Sequence, residues 1–106
     1  MAICPTTEAN LGDGLFPLRD FLDAGGRWGI GSDSHISVSP VEELRWLEYG
    51  QRLVTGRRNI AASARSPSVG ETLLHDVVAS AADSTGQASG IDSGDVLLLD
   101  GDAALM

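Results

Sequence analysis

Two short strand candidates with a helix-forming segment between them constrain the fold of this chain more than any other feature. The strand candidates are residues 2–4 and residues 27–31, and each is bounded by proline or glycine. The intervening residues 16–24 suit a short helix that stops at the pair Gly25-Gly26. When a helix connects two strands, the strands pair in parallel. The sequence therefore predicts an α/β fold.

Two capping boxes mark the starts of longer helices. A serine, a proline and a glutamate within residues 39–42 form the first box, ahead of a helix over residues 41–53. A serine and a glutamate within residues 68–71 form the second, ahead of a helix that runs to residue 83. Both helices therefore have a defined beginning.

The spacing of apolar residues in the helix over residues 41–53 predicts its buried face. We expect Leu44 and Leu47 to pack against the sheet, while Glu43 and Arg45 face solvent. The other apolar residues at this spacing include Val41, Trp46 and Leu53, and the other charged positions are Glu42, Glu48 and Arg52.

Polar and small residues separate these elements. Residues 6–14 are predicted as a loop and residues 55–67 as a connector. Residues 84–94 are rich in glycine and serine and are predicted as a linker. The predicted organisation is one unit over residues 1–83, then the linker. The truncated first strand of a second unit follows over residues 95–106, with an apolar run that suits burial on both faces.

The charge balance argues against several classes of partner. The net charge is −8, from 15 acidic residues against seven arginines and no lysine. Nucleic-acid binding needs a basic patch, so no nucleic-acid partner is expected. The sequence contains neither a membrane-spanning run nor the features of a signal peptide, which predicts a cytoplasmic protein with no membrane partner. The single cysteine, Cys4, is predicted to be a buried thiol rather than a nucleophile.

The second strand candidate runs directly into the sequence Gly-Ser-Asp-Ser-His at residues 31–35. Asp33 is therefore predicted at the carboxyl end of a strand, where parallel α/β folds hold their chemistry. A carboxylate there can ligate a metal ion and accept a proton from water during hydrolysis. On these residues alone, the alternative is an aspartate that caps the following loop.

Three segments of the chain resemble the formimidoylglutamate deiminases of the amidohydrolase superfamily. They are residues 4–14, which include Thr-Glu-Ala-Asn-Leu-Gly-Asp-Gly, residues 29–35 around Asp33, and the helix over residues 41–53. The resemblance implies the C-terminal part of a (β/α)₈ TIM barrel, with residues 2–4 as strand seven and residues 27–31 as strand eight. It also implies the start of a small β domain.

The resemblance further implies roles for individual residues. Asp33 matches the family aspartate that binds zinc and shuttles a proton, so it is predicted to be both catalytic residue and metal ligand. Glu8, Asn10 and His35 are predicted to bind a small-molecule substrate at the same barrel mouth. For His35, a structural hydrogen bond in the loop is an equal alternative, and His75 is predicted to be a surface or packing residue. The other zinc ligands of the family are histidines on earlier strands, outside this chain.

The implied reaction is the hydrolysis of N-formimino-L-glutamate to N-formyl-L-glutamate and ammonia, a step in histidine degradation. With one ligand for zinc, the isolated chain is expected to be inactive. Two alternatives stay open. The first is a non-catalytic truncated product that packs on another chain or forms a homo-oligomer through its open strand edges. The second is another amidohydrolase, such as a guanine or chlorotriazine hydrolase.

Overall fold

A computed structural model describes residues 1–87 of the chain. In chain order, its elements are β1 (Ala2–Ile3), α1 (Pro5–Leu11), α2 (Leu18–Asp23), β2 (Gly29–Ile30), α3 (Pro40–Thr55) and α4 (Val69–Thr85). The helices predicted over residues 16–24, over residues 41–53 and after residue 68 are therefore confirmed. The predicted linker beyond residue 87 and the strand candidate within residues 95–106 lie outside the described residues.

Within residues 1–87, the sheet consists of β1 and β2, which pair in parallel. Ala2 lies opposite Gly29, and Ile3 lies opposite Ile30. The pairing continues past the strands, because the Gly31 amide donates to the Ile3 carbonyl over 3.1 Å. The predicted parallel arrangement is confirmed, and the carboxyl ends of both strands lie at the same edge of the sheet.

The prediction of a loop over residues 6–14 is wrong, because the first part of this segment forms α1. Pro5 occupies the first helical position, where its fixed φ and missing N–H are tolerated. The helix ends at Gly12, whose φ of 75° is left-handed and whose amide donates to the Glu8 carbonyl. Both signals are local. The β-branched pair Thr6-Thr7 has a modest helix propensity, however, and this favours the prediction of a loop. α1 therefore begins directly where β1 ends.

Both long helices begin at the predicted serines. The Ser39 hydroxyl accepts a hydrogen bond from the Glu42 amide, and the Ser68 hydroxyl accepts one from the Glu71 amide. α4 runs to Thr85 and so includes the first two residues of the segment predicted as a linker. None of the helices in residues 1–87 combines the length and apolar character that a membrane crossing requires.

The core lies between the sheet and the three helices that follow α1. Its buried apolar residues are Ile3, Leu18, Trp28, Leu44, Leu47, Ala61 and Leu73. The predicted burial of Leu44 and Leu47 is confirmed, but Val41, Trp46 and Leu53 remain 63%, 47% and 81% exposed. α3 therefore buries a narrower stripe than its apolar spacing predicts.

The prediction that Glu43 faces solvent is wrong, because the residue is 1% exposed. Its carboxylate oxygens accept hydrogen bonds from the Thr6 amide over 2.9 Å and from the Thr6 hydroxyl over 2.5 Å. Glu48 is also buried, and it accepts the amides of Ile60 and Ala61 over 3.0 Å each. A carboxylate can be buried when donors satisfy its oxygens. With these two glutamates, α3 binds α1 and the connector that follows α3.

Candidate functional site

α1 and the turn after β2 meet at the carboxyl ends of the two strands. The Thr7 hydroxyl donates a hydrogen bond to the Ser32 carbonyl over 2.8 Å, which joins the two segments directly. Glu8 follows Thr7 in the chain, and Asp33 follows Ser32. The two carboxylates predicted from the sequence therefore lie on joined segments, and this strand-end region is the candidate site.

Asp33 is presented to solvent by a tight turn. The His35 amide donates to the Ser32 carbonyl over 2.8 Å, and Asp33 between them has a φ of 46°. Residues other than glycine rarely adopt this left-handed conformation, although aspartate does so more readily than most. The side chain is exposed, and no donor within residues 1–87 bonds its carboxylate. Such a carboxylate is available to ligate a metal ion or to accept a proton.

Glu8 and Asn10 lie on α1 rather than on the predicted loop. One carboxylate oxygen of Glu8, Oε1, accepts the Cys4 amide over 2.8 Å, and the side chain is half-buried. Asn10 lies two residues further along the helix and is exposed. The structure thus fixes Glu8 close to the end of β1, whereas Asn10 is on the open last turn of α1.

The ring of His35 is held by the loop between β2 and α3. Its Nδ1 lies 2.9 Å from the Ser37 hydroxyl oxygen, and that hydroxyl donates to Glu42 at the start of α3 over 2.6 Å. This contact is the structural hydrogen bond that was one of the two alternatives for His35. Substrate contact through Nε2 stays a prediction. His75 lies on α4 with a side chain that is 55% exposed, in keeping with a surface residue.

Cys4 lies between β1 and α1, beside three carboxylates. It is half-buried rather than buried as predicted. Burial raises the pKa of the Cys4 thiol, and the negative charges of Asp33, Glu8 and Glu43 raise that pKa further, against an opposing hydrogen bond to the Gly31 backbone. A raised pKa keeps the thiol protonated at neutral pH, which agrees with the prediction that Cys4 is not a nucleophile.

The reactivity of Cys4 can therefore be used to measure the negative potential at the site. At about pH 8 we expect iodoacetamide to alkylate the folded chain more slowly than the urea-unfolded chain, whose thiol has an ordinary pKa. Asp33→Asn removes one negative charge, which lowers the pKa of Cys4 and speeds alkylation. Asp20→Asn, an equivalent change at an exposed position on α2, should leave the rate unchanged. Equal rates in the two variants would contradict the proximity of Asp33 and Cys4.

The metal that the resemblance implies would need ligands in addition to Asp33. A catalytic zinc needs about three protein ligands. Across residues 1–87, no three or more His, Cys, Asp or Glu side chains are grouped so that they could hold a metal ion. Asp33 fits the part of one ligand, because its exposed carboxylate follows a strand end and is unbonded within that range. The other ligands of a complete site would have to come from elsewhere.

Two contacts at the site, those of Thr7 and Glu43, are not predicted from the sequence, although the resemblance implies that Thr7 belongs to the segment lining the substrate pocket. Thr7 bonds the turn that carries Asp33, and Glu43 bonds the neighbouring Thr6. The signal that could have found Thr7 is the helix start at Pro5, since a helix directly after β1 brings its first turn to the strand ends. No local pattern distinguishes Glu43 from an exposed glutamate on a helix.

Comparisons with known proteins support the resemblance. No protein-family model matches the chain. The chain is 53% identical over 103 residues to the formimidoylglutamate deiminase of Pseudomonas aeruginosa. The aligned region covers 93% of this chain and 23% of that protein. It also matches the crystal structure of an amidohydrolase from Brucella melitensis, with a TM-score of 0.75 and 44% sequence identity, over 81% of this chain and 19% of that one. The predicted resemblance is confirmed, and the chain spans less than a quarter of the length of this curated relative.

Proposed function

We propose, since this chain belongs to the formimidoylglutamate deiminase family, that it contributes Asp33 to the active site of a metal-dependent amidohydrolase. The substrate in this proposal is N-formimino-L-glutamate, and the products are N-formyl-L-glutamate and ammonia. The observation that carries the proposal is the 53% identity, along 93% of this chain, to a protein named formimidoylglutamate deiminase. The exposed carboxylate of Asp33 after a strand end is what a hydrolase of this kind requires from the segment.

In this proposal, β1 and β2 are strands seven and eight of a (β/α)₈ barrel. Their parallel pairing, with α2 between them in the chain, supports this position. The TM-score of 0.75 to an amidohydrolase supports it as well. Active sites of such barrels lie at the carboxyl ends of the strands, which is where Asp33 and Glu8 follow β2 and β1. The remaining strands belong to the part of the relative that this chain does not cover.

The proposed chemistry gives Asp33 two tasks. Zinc, when bound, supplies the positive charge that polarises water and the formimino group. The carboxylate of Asp33 holds the ion and accepts one proton from the water that attacks the formimino carbon. Asp33 then passes this proton to the imino nitrogen, which becomes an amine. The second water proton moves to the same nitrogen as the carbonyl forms and the C–N bond breaks, so that the nitrogen leaves as ammonia.

Substrate binding in this proposal falls to Glu8, Asn10 and His35. Glu8 and His35 are each fixed by a hydrogen bond through one polar atom, Oε1 and Nδ1 respectively. Their other polar atoms, Oε2 and Nε2, have no partner within residues 1–87 and can bond a small polar molecule. Asn10 adds an exposed amide on the same helix as Glu8.

A non-catalytic role for the 106-residue chain by itself is the second candidate. It is favoured by the lack of any three-ligand metal group within residues 1–87. Each strand of the two-stranded sheet in that range also has one unpaired edge, where another chain could add a strand.

The two candidates are separated by a chimera in which this chain replaces the matching 23% of the Pseudomonas aeruginosa enzyme. We expect the chimera to release ammonia from N-formimino-L-glutamate. The isolated chain should release none and should lose its zinc to a chelator, because one ligand does not hold the ion. A folded, zinc-loaded chimera without activity would contradict the proposed function. Stoichiometric zinc in the isolated chain after dialysis would mean that copies of the chain share a metal site.

A further inference from the structure

We propose that Thr7 is a positioning residue, whose hydroxyl fixes the turn that carries Asp33. The inference rests on the proposed function, in which the Asp33 carboxylate takes part in the reaction. The Thr7 hydroxyl donates to the carbonyl of Ser32, the residue directly before Asp33, over 2.8 Å. Thr7 is 4% exposed, so little water competes for this bond.

The turn needs support because Asp33 has an unfavourable backbone conformation. Its φ of 46° is one that residues other than glycine keep only when neighbouring contacts hold them there. The Ser32 carbonyl accepts two hydrogen bonds, from the His35 amide inside the turn and from the Thr7 hydroxyl outside it. Within the described part of the chain, the Thr7 bond is the direct hydrogen bond between residues 32–35 and another helix or strand, and His35 reaches α3 only indirectly, through Ser37.

α1 can carry out this task because it is anchored on its other side. The buried carboxylate of Glu43 accepts the amide of Thr6 over 2.9 Å and its hydroxyl over 2.5 Å. Glu43 belongs to α3, which contributes Leu44 and Leu47 to the core. Thr7 is thus fixed relative to the core. The hydrogen bond from its hydroxyl then fixes the Asp33 turn relative to the core as well.

Thr7→Val in the chimera removes the hydroxyl and keeps the shape of the side chain. We expect kcat to fall about 10- to 100-fold with KM changed less than about threefold, since a small displacement of a reacting group has effects of this order. Zinc should also pass to a chelator several-fold faster. Thr7→Ser keeps the hydroxyl and should restore both values. The control is Thr55→Val, at the end of α3, where the hydroxyl bonds the Gln51 carbonyl instead.

A second readout does not depend on activity. The His35 amide bonds the same Ser32 carbonyl, so its hydrogen exchange in the 106-residue chain reports whether the turn is held. We expect exchange to be faster in Thr7→Val than in Thr7→Ser. If the valine variant does not fold, Thr7→Ala and Thr7→Ser differ only by the hydroxyl and give the same comparison.

The outcomes distinguish the inference from the proposed function. A normal kcat in an active Thr7→Val chimera, or equal His35 exchange in the hydroxyl-bearing and hydroxyl-free variants, overturns the positioning role and leaves the proposed function standing. A parent chimera that binds zinc without turning over substrate counts against the proposed function. The exchange comparison then still decides whether Thr7 holds the turn.

Discussion

Asp33→Asn in the active chimera is expected to lower kcat by about 10²- to 10⁴-fold, the range typical for loss of a positioned acid–base group. The substitution should leave the fold intact, because asparagine has nearly the same size and also tolerates the left-handed turn. In the proposed function, it removes the negative charge that holds the metal ion and the carboxylate that accepts a proton. The measurements are kcat, KM and the zinc bound per chain.

The matched control for Asp33 is Asp20, which is exposed in the first turn of α2. Asp20→Asn makes the same chemical change away from the strand ends and should leave kcat and zinc content unchanged. A lower rate with lost zinc in Asp33→Asn would identify a ligand, and a lower rate with retained zinc would identify a proton acceptor. Near-normal turnover with normal zinc in that variant would rule out both roles.

The parts of the fold that the sequence predicts are those governed by local signals. A serine cap acts on amides within the first turn of its own helix, so α3 and α4 begin where Ser39 and Ser68 indicate. The parallel sheet follows from the helix between the two strands, because a connection of this kind does not form a hairpin.

The parts that the sequence does not predict depend on contacts between distant residues. Glu43 lies 37 residues from Thr6, whose amide and hydroxyl it accepts. Glu48 bonds amides 12 and 13 residues further along the chain. Helical periodicity assigns glutamate to the solvent face, because it takes no account of donors that another segment provides. Burial of these carboxylates is therefore a property of the tertiary structure.

The candidate site likewise has features that the sequence predicts and features that it does not. The place of Asp33 after a strand end follows from residues 27–35 alone, and the resemblance adds the metal and proton-transfer roles that remain proposals. The contact between Thr7 and Ser32 joins residues that are 25 positions apart, so neither segment predicts it alone. It requires that Pro5–Leu11 form a helix, which gives the threonine hydroxyl a fixed direction towards the neighbouring strand end.

A large loss of stability is expected when Glu43, which joins α3 to α1, is substituted. Glu43→Leu places an apolar side chain of similar size in this buried position and removes both acceptors. The Thr6 amide and hydroxyl are then left without partners, and each such buried group costs about 1–3 kcal/mol. We expect the free energy of unfolding of the chimera to fall by about 2–5 kcal/mol, measured by urea denaturation.

Glu43→Gln tests whether the hydrogen bonds or the negative charge provide this stability. Its amide oxygen can accept the Thr6 amide, and its amide nitrogen can donate to the Thr6 hydroxyl, which rotates to accept. Both bonds are kept without the charge, so stability should stay within about 1 kcal/mol of the parent chimera. Equal losses in the glutamine and leucine variants would mean that the charge matters more than the bonds. No loss in the leucine variant would mean that the joint between α1 and α3 does not depend on Glu43, and the anchoring of Thr7 would have to be attributed to other contacts.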